Sequence, residues 1–215
     1  MTDQRTIEDR LREQYFQLLP HIRRVTAHLE AEVKYGVLPI LRNLNRYERL
    51  VVTSRIKECE SALGALRRRQ EGATFDRDRP AMYTLTDLKD LAGVRVLGFP
   101  MRRVTEADQE LRRRFESWQA DPIPGFAGDD EPRAFKYVGY CKEASTEVRG
   151  EIQIVSMLIG LFWEVEHSAI YKPAPELKGA VRDLGMQQRA KEVYNALRIF
   201  EEEFGRVISR VAPSG

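Results

Sequence analysis

The sequence predicts an α+β fold: a small mixed β-sheet covered by α-helices, with further helices at the two ends of the chain. Three observations predict it. Residues 6–34 place Leu11, Tyr15, Leu18, Ile22, Val25, Leu29 and Val33 near the 3.6-residue period of an amphipathic helix. Glu151-Ile152-Gln153-Ile154 alternates polar and apolar, the period of a strand with one buried face. Along the rest of the chain the segments run helices, strand, helix, strand, helix, loop, strand, strand, helices.

In order, Pro20 either kinks the first helix or starts a second, and Arg23 and Arg24 lie on its solvated face. Residues 35–45, with Gly36 and Pro39, form a connector. Leu50-Val51-Val52-Thr53 is a short β-branched strand. Residues 61–70 follow as a helix whose Arg67-Arg68-Arg69 end suits the negative pole of the helix dipole. Thr86 is expected to cap a short helix reaching Leu91, after a turn-rich stretch at 72–80. Residues 94–99 form a strand, and 105–118 a helix with Leu111, Phe115 and Trp118 on its apolar side. Residues 121–132 are rich in Pro, Gly and Asp and read as a surface loop. Residues 135–140 form a strand or loop arm, and 156–172 a helix carrying Trp163, Glu166, His167 and Tyr171. A last helix over 181–211 is expected to face inward with Val193, Leu197, Phe200, Phe204 and Val207. The expected division is an N-terminal helical segment at 1–48, a central domain at 49–175 and a C-terminal helical segment at 176–215.

Composition narrows the function classes. Lys+Arg 35 against Asp+Glu 33 leaves a net charge of +2, which does not announce nucleic acid or an anionic membrane. Cys59 and Cys141 are too few for a disulfide framework and lack metal-ligand spacing, so a reduced, cytoplasmic setting is expected. The polar stretch 1–12 has no apolar core of a signal peptide, and no apolar run is long enough to cross a bilayer.

The candidate chemistry sits at strand ends. Asp90 precedes one strand and Glu151 opens another, and two carboxylates so placed make an oxygen-only site suited to Mg²⁺. Arg55, Lys57, Arg95 and Lys136 are cations at strand or loop ends, from which polyphosphate can be held. Tyr140 follows Gly139, and its ring is placed for stacking.

Together these residues resemble the RelA/SpoT synthetase domain, the catalytic unit of the alarmone synthetases. Four blocks across residues 50–172 carry the resemblance, in the family's order. They are Arg55-Ile56-Lys57 with Ser61; Asp90-Leu91-Ala92-Gly93-Val94-Arg95; Lys136-Tyr137-Val138-Gly139-Tyr140; and Glu151-Ile152-Gln153-Ile154 with the later Trp163, Glu166-His167 and Tyr171-Lys172. The resemblance implies a nucleotidyltransferase-like fold and transfer of diphosphate from ATP to the 3′-hydroxyl of GDP or GTP. It implies that Arg55 and Arg95 sandwich adenine, and that Lys57 and Ser61 hold its phosphates. Asp90 and Glu151 would bind Mg²⁺, with Glu151 also the general base. Tyr140 would stack on the acceptor guanine, Lys136 would contact its phosphates, and Gln153 and His167 would shape the acceptor side. Assembly into homo-oligomers through the terminal helices is a further implication.

The chain departs from the family pattern at four places. Ala65 stands where a lysine is usual, a role that Arg68 one turn later fills only in part. Val138, Ala144 and Val155 stand where asparagine, histidine and arginine are common. These changes concentrate on the acceptor side and keep two alternatives open. One is a toxin-like relative that modifies the 3′ end of tRNA or an adenine nucleotide, to which the arginine runs at 67–69 and 112–114 would contribute. The other is a catalytically silent module that binds nucleotide or a partner protein.

Overall fold

The computed structural model describes residues 4–41, 44–70, 72, 74–76, 78–124, 132–166, 169–170 and 176–211. Helix α1, Gln4–Ala31, runs through Pro20 and continues into a π-helical turn, Glu32–Val37. Five strands follow, β1 Arg49–Ile56, β2 Ala92–Phe99, β3 Gln119–Ala120, β4 Phe135–Gly139 and β5 Gly150–Ser156. The intervening helices are α2 Cys59–Arg67 and α3 Met101–Arg114; α4 Met157–Glu166, α5 Lys178–Asp183 and α6 Met186–Val211 close the chain. The sheet order is β1-β2-β5-β4-β3. Only the central β2–β5 pair is parallel. The architecture is the α+β class expected, a mixed sheet covered by helices.

The period-2 alternation of β5 sorts the two faces. Ile152 and Ile154 are completely buried with Val94 and Val96 of β2 against Leu11, Ile22, Val25 and Leu29 of α1. Helix α3 adds Val104, Ala107 and Leu111 to the same core. Trp118 closes this layer over Gly139 and Gly150, which pair directly across β4 and β5. A Cβ on Gly139 would collide with the Trp118 indole, so the glycine is required by close approach of the ring.

Two buried polar networks brace the sheet against α3. The Tyr137 hydroxyl donates to Asp108 Oδ1 at 2.5 Å, and Arg112 also reaches Asp108. Tyr137→Phe would leave a buried carboxylate short of a donor, and the expected loss of about 1–3 kcal/mol is measured by urea denaturation. Glu48, just before β1, buries its carboxylate completely between Arg102 and Arg103.

Several expectations need correction. The cap near residue 86 is Thr84, whose Oγ1 accepts from the Thr86 amide, and the helix is a single 3-10 turn, Leu85–Asp87. Leu85, Leu88 and Leu91 are all fully buried, and anchoring each of them holds the segment as a turn and connector. Helix α3 starts at Met101 and stops at Arg114, leaving Phe115 and Trp118 in the turn beyond it. The helix expected over 181–211 is broken at Gly185, whose φ of +61° is a left-handed conformation that ends α5. On α6, Val193, Phe200 and Val207 are half exposed, while Ala190, Tyr194, Glu201 and Ile208 are buried. The buried stripe is rotated because α6 packs against α3, α4 and α5 together, and it admits the carboxyl of Glu201, which periodicity counts as polar. Most of the surface loop expected at 121–132 lies outside the described residues, but its start pairs: Ile123 bridges to Ala134.

Candidate active site

On the sheet face opposite α1, directly paired residues form rows, because cross-strand partners share a face. One row reads Arg55, Gly93, Glu151, Val138 across β1, β2, β5 and β4. The next reads Thr53, Arg95, Gln153, Lys136. A third contains Leu97 and Val155, and here Ile159 of α4 and Tyr194 of α6 cover the sheet. The two polar rows thus stand beyond the apolar cap and draw on all four sequence blocks. Gly93 keeps the first row open: a Cβ there would stand 2.9 Å from the Glu151 carbonyl oxygen.

Charges alternate around Glu151. Lys57 Nζ contacts Asp90 Oδ2 at 2.5 Å, and the Lys57 amide donates to the Leu91 carbonyl at 3.0 Å, which fixes β1 beside the Asp90 turn. Lys136 Nζ lies 3.1 Å from Asp121 Oδ2 and 3.8 Å from Glu151 Oε2. Burial pushes the Glu151 carboxyl above the ordinary carboxylate range; Lys136 opposes this, Asp90 adds to it, and Arg55 and Lys57 oppose it. Arg95 donates from Nε to Gln153 Oε1 at 2.7 Å and from Nη1 to Glu164 Oε1 at 2.9 Å. Burial lowers the Arg95 pKa, and the neighbouring charge of Arg55 lowers it further.

Thr53, Arg95 and Gln153 of the second row, with Arg55, form the floor of a cleft of about 1090 Å³, while Lys136 and Glu151 stand outside its lining. Helix α4 contributes Trp163, Glu164 and Glu166 to its wall. Arg133 closes another side, its guanidinium 5.5 Å from the Trp163 ring centre. Sequence reasoning missed Arg133, Glu164 and Asp121. Glu164 adjoins a motif tryptophan, which is a signal of sorts; Asp121 and Arg133 are brought in by the β3–β4 connection and have none.

Not every candidate converges. Ser61 and Arg68 are exposed in and after α2, outside the cleft lining. Tyr140 also lies outside it, beside a separate crevice of about 440 Å³ that it shares with Trp118, His28 and Glu32. The Tyr140 hydroxyl accepts from Arg149 Nε at 3.3 Å, and the Arg149 guanidinium lies over its ring. His167 falls outside the described residues. The four departures are packing positions: Val138 and Val155 are buried, and Ala65 and Ala144 pack against the main core.

Asp90 and Glu151 offer the hard oxygen donors that a magnesium ion takes, and Glu151 feels the charge of Asp90. Among the described residues no group of three or more His, Cys, Asp or Glu side chains gathers at one point. Mg²⁺ needs no such cage, since one or two carboxylates together with substrate phosphates suffice. Both carboxylates lie on lysines, which a divalent cation would replace as counter-charge.

No family model matches the chain, and no curated protein matches it in sequence. Solved structures do match. Small alarmone synthetase 1 from Bacillus subtilis has a TM-score of 0.63 and 19% identity, covering 93% of this chain and 99% of that one. A GTP pyrophosphokinase family protein from Streptococcus pneumoniae has a TM-score of 0.59 and 22% identity, covering 93% of this chain and 94% of that one. The fold is that of the small alarmone synthetases. Small alarmone synthetase 1 has also been solved with AMPCPP and with its product pppGpp. The resemblance to RelA/SpoT synthetase domains is borne out at the level of this small alarmone synthetase fold. Among the described residues no helix is long and apolar enough to cross a membrane.

Proposed function

We propose that the protein is a nucleotide pyrophosphokinase that transfers diphosphate from ATP to the 3′-hydroxyl of GDP or GTP. The observation that carries this reading is the convergence of Arg55, Glu151, Arg95, Gln153 and Lys136 in two adjacent rows, with the Lys57–Asp90 pair at their end. Arg55 and Arg95 are diagonal neighbours on an antiparallel pair, positions whose backbones stand about 7–8 Å apart. Two long side chains rising from one sheet face at that spacing can take a purine between their guanidinium planes.

Glu151 takes the proton of the 3′-hydroxyl as its oxygen attacks the β-phosphorus of ATP. The new O–P bond forms while the bond from the bridging oxygen to the β-phosphorus breaks, and its electron pair leaves on the α-phosphate of AMP. Lys57 and Lys136 carry positive charge to the two sides of the reacting phosphorus. Mg²⁺, held by Asp90 and Glu151, would neutralise charge on the transferring phosphates. Lys136 meets the acceptor's phosphates, and Tyr140 meets its base once Arg149 yields the ring face. Two free cysteines are consistent with a cytoplasmic setting.

The arginine run at 112–114 lends less to a tRNA acceptor than its sequence suggests. Arg112, Arg113 and Arg114 each pair with a carboxylate, Asp108, Glu110 and Glu32. A single labelling experiment separates the readings: γ-labelled ATP and Mg²⁺ with GDP, GTP, no acceptor or bulk tRNA. Label in a guanine nucleotide is expected. Label in tRNA or an adenine nucleotide would assign the toxin-like reading, and ATP binding without transfer the silent one.

A further inference from the structure

We propose that Glu164 selects the donor base, accepting a hydrogen bond from the exocyclic amino group of a 6-aminopurine and rejecting a 6-oxopurine. This rests on the reading of the cleft as the donor-nucleotide site. Glu164 stands on α4 at the cleft wall, its side chain 68% exposed, while the Arg95 side chain beneath it is 14% exposed. The Arg95 guanidinium is held at two points, by Gln153 below and Glu164 above. The carboxylate is therefore fixed at the rim of the plane on which a base would stack.

The charged groups around the base position set its preference. Arg55, Arg95 and Arg133 offer hydrogen-bond donors only, Gln153 Oε1 already accepts from Arg95, and Thr53, Ser54 and Gln187 are neutral. A base edge read by the arginines would favour a 6-oxo group, which is an acceptor. An ionised carboxylate is acceptor-only, so Glu164 reverses that preference and repels the lone pairs of a 6-oxo oxygen. Glu166 also lines the cleft, but it is Glu164 that touches the arginine on which the base would lie.

Titration calorimetry of the whole chain with ATP and with ITP tests the proposal, because these nucleotides differ at the 6-position. Wild-type protein is expected to prefer ATP by at least about tenfold. Glu164→Gln, which carries both donor and acceptor at an exposed helix position, is expected to bring that ratio close to one, mainly by tighter ITP binding. An unchanged ratio would overturn the proposal and leave the cleft assignment standing. Equal tightening of both nucleotides would also overturn it, showing Glu164 to be only a counter-ion competing for Arg95. Failure of wild-type protein to bind either nucleotide would overturn the cleft assignment and the proposal together.

Discussion

Glu151→Gln is expected to bind ATP, to lose diphosphate transfer by about 10²–10⁴-fold, and to melt no lower than the wild-type protein. The two halves of this result have one cause. Glu151 is mostly buried in the row between Gly93 and Val138, and burial is the main reason that its carboxyl holds a proton more tightly than usual. A base of raised pKa is better matched to removing a hydroxyl proton near neutrality. For stability the sign is opposite. With a folded pKa above the unfolded one, the contribution of Glu151 is fully present below the unfolded pKa. It is lost as pH rises through the folded pKa. At neutral pH the ionised side chain is therefore a burden on the fold, and glutamine removes it. The acid limb of the wild-type kcat/KM profile should lie above the ordinary carboxylate range. Single-turnover transfer and calorimetric melting of both proteins at pH 5 and pH 8 check this. A melting temperature that falls together with activity would reassign Glu151 to a structural role.

How much of this was legible in the sequence depends on how local the determining physics is. The alternation of Glu151-Ile152-Gln153-Ile154 reports a strand with one buried face directly, because adjacent side chains point to opposite sides. The motif blocks named Arg55, Asp90, Arg95 and Lys136, and the structure gathers them. What the sequence does not display is the register that puts Arg55, Gly93 and Glu151 in one row, since pairing across three strands is non-local. Asp121 reads as a loop residue and becomes a partner of Lys136 only through the β3–β4 pairing. On α6 the apolar residues outnumber the positions that find a neighbour, so periodicity names a stripe wider than the contact. The outward Val193, Phe200 and Val207 are where the expected contact between copies would form. Glu48 is the extreme case. Nothing in the local pattern marks a carboxylate in a connector as a buried core group.

Glu48→Ala should therefore be the most damaging single change outside the site, costing about 3–5 kcal/mol at neutral pH. Its carboxylate is fully buried and receives Arg102, Arg103 and, at 3.0 Å, the Asn45 amide. Burial by itself would raise its pKa, but these donors outweigh burial and hold it below the ordinary range. Removing it leaves the Arg103 guanidinium, itself nearly buried, with Glu106 as its remaining carboxylate among the ion pairs seen here. The network ties the entry of β1 to the first turn of α3, and β1 carries Thr53 and Arg55 to the cleft. Because the folded pKa is depressed, the stabilisation is present above the unfolded carboxylate pKa. It fades as pH falls through the folded value. The difference between wild-type and Glu48→Ala proteins in urea denaturation should accordingly be large at pH 7 and shrink at pH 3. Glu48→Gln, which keeps an acceptor oxygen without the charge, should fall between them at pH 7. A Glu48→Ala loss under about 1 kcal/mol at pH 7 would mean that the arginines find water instead, as surface pairs do.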